Sequence, residues 1–143
     1  DYAKDNHVDV VIMGHNVFQK QEIGIGHVNN QNFVQIPMTI FAGMLKYKLA
    51  AYGIRFAITE ESYTSKCDAL ACETLGKHET YLGRRVKRGL FRSSVGKLIN
   101  ADVNGAVNIL RKVVGDSEII SRIIGSGLLL SPIRCSNPYS RNA

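Results

Sequence analysis

Apolar and polar positions along this chain alternate with two different periods. Val8-Asp-Val-Val-Ile-Met13 is a short β-branched run that closes at Gly14, the pattern of a buried strand. Between Phe33 and Tyr52, the residues Ile40, Phe41, Met44, Leu45, Tyr47, Lys48 and Ala51 form a helical stripe. Pro37 suits its first turn and Gly53 its end. Ile54, Phe56 and Ile58 then alternate with Arg55, Ala57 and Thr59, which predicts a half-buried strand. Strand, helix and strand in this order predict a right-handed parallel crossover. The carboxyl ends of both strands then share one edge, where open α/β sheets hold their ligands. Further on, Val103, Ala106, Val107, Leu110 and Val113 or Val114 recur at helical spacing, the mark of an amphipathic helix. Asn100 can cap it, and Asp102 falls in its first turn, where the helix dipole favours an anion.

The remaining stretches are less regular. Residues 1–7 read as the tail of a helix. Val17 to Gln31 is polar and contains Gly24-Ile-Gly26; without a third glycine it is not a dinucleotide fingerprint, and it reads as a loop. After Val114, Gly115-Asp-Ser resembles a linker. Glu118 to Ile124 has room for a helical turn or two, and the end of the chain reads as a flexible tail.

Charge changes this picture. The chain has 143 residues and a net charge of +6, enough for a modest core and compatible with a polyanion partner. The asymmetry is concentrated: Lys77, Arg84, Arg85, Lys87, Arg88, Arg92 and Lys97 lie between residues 77 and 97 against the single acid Glu79. Tyr81, Leu90 and Phe91 interleave with them. Basic groups along phosphates and rings on bases would suit a single-stranded nucleic acid; a merely solvated face is the other reading. No apolar run approaches the roughly 20 residues of a membrane span. Cys67, Cys72 and Cys135 cannot all pair, so the cytoplasm is the expected compartment.

The segment Asp102-Val-Asn104-Gly-Ala106-Val-Asn108-Ile109 closely resembles the last catalytic motif of the RuvC-like nuclease domain of TnpB-type proteins. These are the OrfB proteins of bacterial insertion sequences, relatives of the type V CRISPR nucleases. Three more segments fit in order and spacing: Val10-Val-Ile-Met-Gly-His-Asn16; Asn32-Phe-Val-Gln-Ile-Pro37 with Met44-Leu-Lys-Tyr-Lys48; and Glu60-Glu-Ser-Tyr-Thr-Ser-Lys-Cys67. The resemblance covers roughly residues 1 to 115. It implies an α/β chain with a partial RNase H-like (RuvC-like) fold and a degenerate zinc-ribbon insertion. Residues 1–66 would be the C-terminal half of the RuvC-like domain, 67–97 the basic ribbon insertion, 98–115 its last helix and 116–143 the tail.

The same resemblance implies an RNA-guided DNA endonuclease tied to insertion-sequence transposition and DNA recombination, with DNA and a guide RNA as partners. Such sites hold two Mg²⁺ ions on three carboxylates. Asp102 matches the last ligand. Gly14 stands where the middle one, a glutamate, is usual; Glu60 and Glu61, at the end of the neighbouring strand, are placed to supply it. Side chains alternate across a sheet, so one of the two should face the site, and Glu61 is favoured. The first ligand belongs to an opening strand absent from this sequence; Asp1, Asp5 and Asp9 do not fit. The expectation is a C-terminal piece that needs the missing N-terminal part and is inactive alone. A non-catalytic nucleic-acid-binding protein or a decayed gene product are the alternatives. The zinc ribbons of this family use two pairs of cysteines. Here four residues lie between Cys67 and Cys72, with no second pair beyond them. Even with His78, a zinc-free loop or small hairpin is expected, its cysteines packed as small hydrophobes.

Overall fold

The computed structural model describes residues 2–15 and 38–132. The loop read over Val17 to Gln31, the start of the helix read from Phe33, Cys135 and the end of the tail lie outside them. The chain divides into two compact units, Asp1–Ser62 and Tyr63–Ala143. This boundary falls four residues before the ribbon boundary read at 66 and 67.

In the first unit, a short helix α1 (Tyr2–Asp5) precedes strand β1 (Val10–His15), helix α2 (Met38–Ala50) and strand β2 (Arg55–Glu60). β1 and β2 pair in parallel from Val10↔Arg55 to His15↔Glu60. β1 therefore runs through Gly14, which sits in the ladder opposite Thr59, rather than stopping there. Gly53 at φ 70° ends α2 and turns the chain into β2, a backbone state that glycine adopts without penalty. One sheet face carries Met13, His15, Phe56 and Ile58 and, with Met38, Ala42 and Lys46 of α2, lines a cavity of about 490 Å³. Ala42, Leu49 and Ile54 are buried, whereas Ile40, Phe41, Met44 and Tyr47 are exposed. Apart from the half-buried Leu45, the predicted stripe is thus the solvent side of α2. The helix is apolar nearly all round, and periodicity alone does not choose the packed face.

The second unit contains β3 (Arg84–Lys87), β4 (Leu90–Arg92), β5 (Leu98–Asn100), α3 (Ala101–Val114), α4 (Glu118–Gly125) and a 3₁₀ turn over Leu128–Leu130. The three strands form an antiparallel sheet in the order β3-β4-β5. Gly89 (φ 75°) and Gly96 (φ 82°) turn its two hairpins. Phe91, Ile99 and Ala101 form one core cluster, and Ala69, Val107 and Leu129 another; Leu70 packs against both. Gly83 lies under the Phe91 ring, where a Cβ would come within 2.4 Å of it. The helix read as a turn or two after Glu118 is complete and buries Ile120, so residues 118–130 belong to the packed unit.

Candidate nucleic-acid interface and metal-ligand positions

The helix α3 is built as its sequence predicts at the N-terminus. The Asn100 Oδ1 accepts from the backbone N–H of Asp102 at 2.8 Å and of Val103 at 3.1 Å, closing two donors that a helix start leaves open. Asp102 is held in the first turn with its side chain exposed. A hard-oxygen ligand so placed is chemically suited to Mg²⁺.

The two asparagines of the same motif have a different task. Asn104, Asn108 and Arg111 lie on one face of α3 and are buried. The Asn104 side chain accepts from the Ala69 N–H at 3.0 Å and donates to the Cys67 carbonyl at 2.9 Å. Asn108 donates to the carbonyls of Thr64 at 2.9 Å and Cys67 at 2.7 Å. Arg111 Nη1 donates to Asn108 Oδ1 at 2.8 Å, and Nη2 to the Glu73 carbonyl at 3.0 Å. Nε and Nη2 also fork onto the Asp116 carboxylate at 2.5 and 3.0 Å. That pair holds Asp116 below the usual carboxylate range and raises the Arg111 guanidinium. The face of α3 that bears the asparagines thus fastens the loop over 64–73, while Asp102 stays in solvent. Reading the motif as one catalytic string misses this division. The signal in the sequence is the spacing of Asn104, Asn108 and Arg111, which puts three polar groups where a helix should be apolar.

Glu60 ends β2 on the face of Met13, Ile58 and the cavity, and its carboxylate accepts from the Ser62 N–H. Glu61 continues the ladder by donating its N–H to the His15 carbonyl at 3.1 Å. It lies two residues beyond Thr59, so pleat alternation gives it the face of Thr59 and Gly14. Glu61 is half-buried and Glu60 exposed. Glu60 and Glu61 belong to the first unit and Asp102 to the second. Among the described residues, no group of three or more His, Cys, Asp or Glu side chains could hold a metal ion.

The basic run becomes a surface. All four residues of β3, Arg84, Arg85, Val86 and Lys87, are exposed, as are Arg88 in the turn and Arg92 on β4. The register sets Arg84 directly opposite Arg92 and Arg92 opposite the exposed Leu98. Like charges facing across a strand pair oppose folding, and none of these cations has an ion-pair partner among the described residues. Lys77 lies in the loop before the sheet and Lys97 in the turn between β4 and β5, both exposed. The aromatic part of the expectation changes. Phe91 is 1% exposed, its ring against Gly83, and cannot stack on a base from there. Tyr81 meets His78 edge to face at 5.3 Å and the Lys66 ammonium at 5.9 Å. The face is one of guanidinium and ammonium groups, suited to phosphate contacts.

A basic sheet backed by a capped helix with an exposed first-turn carboxylate is the frame on which the comparisons with known proteins bear. Residues 39–109 match the family model described as Cas12f1-like, TNB domain. That family is related to TnpB and Cas12 proteins, and the match supports the TnpB-like class for this chain. No curated protein matches the chain, and no solved structure does. Among the described residues, no helix is long and apolar enough to cross a membrane.

Proposed function

We propose that this chain is the C-terminal part of a TnpB-like, RNA-guided DNA endonuclease of insertion-sequence type. Its basic sheet contacts nucleic acid, and Asp102 and Glu61 serve as Mg²⁺ ligands, with Glu60 the alternative to Glu61. Bound there, Mg²⁺ would activate water and stabilise the leaving oxygen. The chain's own contribution is to present Asp102 on a capped helix start and to hold phosphates on Arg84, Arg85, Lys87, Arg88 and Arg92. The observation that carries this reading is the family match over residues 39–109, which spans the sheet and reaches Asp102. Two of three carboxylates are assigned, so residues 1–143 alone bind nucleic acid without cutting it.

The test is oligonucleotide binding by fluorescence anisotropy over a range of salt concentrations. Reversing Arg84, Arg85 and Arg88 to Glu should weaken binding at least tenfold and flatten the salt dependence by about two to three charges' worth. Unchanged affinity would remove the basic sheet from the interface. Nicking by residues 1–143 in Mg²⁺ that disappears in Asp102→Ala would show that the assigned carboxylates suffice. A non-catalytic nucleic-acid-binding protein is the second reading, favoured by Gly14 in the ladder where a glutamate is usual. It predicts the same salt dependence with no role for Mg²⁺ or Asp102.

A further inference from the structure

The family resemblance implies a degenerate zinc ribbon at residues 67–97, and the side chains present do not fit a zinc site. A structural zinc site closes a tetrahedron of thiolates or imidazoles. Cys67 is fully buried, and its Sγ lies 3.6 Å from the Thr74 carbonyl and 3.7 Å from the Gly76 carbonyl. Only a protonated thiol donates to two carbonyl oxygens; a thiolate would be repelled by both. Burial pushes this thiol up, away from the ligating form. Cys72 is exposed, at φ 50°, and the His78 Nε2 is 2.7 Å from the Thr74 carbonyl.

Where a ribbon metal would join its two loops, this unit has buried carboxylates. Asp68 is 0% exposed. Its Oδ2 accepts from Ser93 Oγ at 2.8 Å, the Ser94 N–H at 2.7 Å and Ser94 Oγ at 2.9 Å, and its Oδ1 from the Ala71 N–H at 3.3 Å. One side chain thereby ties the loop after Thr64 to the turn between β4 and β5. Glu73, 6% exposed, accepts from the Asp68 N–H at 2.7 Å with one oxygen and from the Leu82 N–H at 2.8 Å with the other. It closes that loop and anchors the approach to β3. Each carboxylate is surrounded by donors, the condition under which a buried anion is tolerated without a cation.

We propose that Asp68 and Glu73 take over the fastening role of the ribbon metal, Asp68 by bridging the two loops and Glu73 by locking the first, so that this module folds without a metal ion. The inference concerns the module's architecture and stands whether or not the chain is a nuclease.

The test is made on the full chain, with its zinc content measured by elemental analysis and its thermal unfolding followed with and without EDTA or added Zn²⁺. The expected result is no stoichiometric zinc and a Tm that neither reagent moves. Asp68→Asn, which turns an amide N–H₂ toward existing donors, should lower the Tm by about 10 °C or more. Cys67→Ser, which keeps a donor for the two carbonyls but is a poor zinc ligand, should lower it far less. One zinc per chain with unfolding by EDTA would overturn the proposal, and so would Asp68→Asn melting like the parent. Should Asp68→Asn fail to fold, the metal content and EDTA response of the parent chain still decide.

Discussion

In the first unit, α2 lays Ala42 and Leu49 on a sheet of two strands and leaves Ile40, Phe41, Met44 and Tyr47 in solvent. In the second, a sheet of three short strands encloses Phe91 and Ile99, and around that core Asp68, Asn104, Asn108 and Arg111 are buried with their hydrogen bonds satisfied. The contrast is between strong local patterns with little enclosed surface and weak local patterns with a closed interior. Regular periodicity is cheap to write into a sequence, but enclosure depends on how many elements share one core. Polar cross-links add specificity in the second unit, since a buried asparagine is tolerated only where its partner carbonyls stand in one arrangement.

The sharpest way to break this comparison is to separate the units. Residues 63–143 should fold alone with a cooperative melt by circular dichroism, and residues 1–62 should not. A cooperative melt of 1–62 would show that two strands and one helix enclose enough after all. Next in size is the polar lattice. Asn108→Ala leaves the carbonyls of Thr64 and Cys67 and the Arg111 Nη1 short of a partner. We expect a loss of about 3 kcal/mol or more in urea unfolding of the full chain. A loss below about 1 kcal/mol would mean that the second unit rests on its apolar clusters and that the asparagines are ornament.

The smallest effect tests the rim of that lattice. Asp116 is 54% exposed and its carboxyl is lowered by the hydrogen bond from Arg111. A carboxylate lowered on folding adds stability above its ordinary range near pH 4, and that stability is lost as the pH falls through the lowered value. Asp116→Asn should therefore cost less than about 1 kcal/mol at pH 7. The gap in Tm between parent and variant should narrow progressively as the pH is lowered below about 4. A gap that persists in acid would assign the effect to packing instead of charge.

The legible parts of the fold were the locally encoded ones. The α2 and β2 elements, the Asn100 cap and the helix after it follow from spacing and from one capping side chain. The three-stranded sheet was hidden because its strands are three and four residues long and β3 is basic at three of four positions, a pattern that reads as charge before it reads as structure. Asn104 and Asn108 were read within a catalytic motif because their partners, the carbonyls of Thr64 and Cys67, lie 37 to 44 residues away in the chain. Asp68 and Glu73 are illegible in the sequence for the same reason: a carboxylate's burial depends on donors brought from elsewhere. Among the site residues, the place of Asp102 in a first turn followed from the cap; its exposure needed the packing of the helix. The lateral pairing of Arg84 with Arg92 needed the register.

The position of β3 has one more consequence. It is one of the two outer strands of its sheet, with no further strand paired to it among the described residues, so its edge offers main-chain donors and acceptors to a strand that arrives, which is how sheets extend into aggregates. A second copy of the same edge would bring Arg84, Arg85 and Lys87 against their own counterparts, and that approach is repulsive whatever the backbone gains. The charges read as an interface for phosphates therefore also keep the molecules apart, and a polyanion that neutralises them lifts that protection while it is bound.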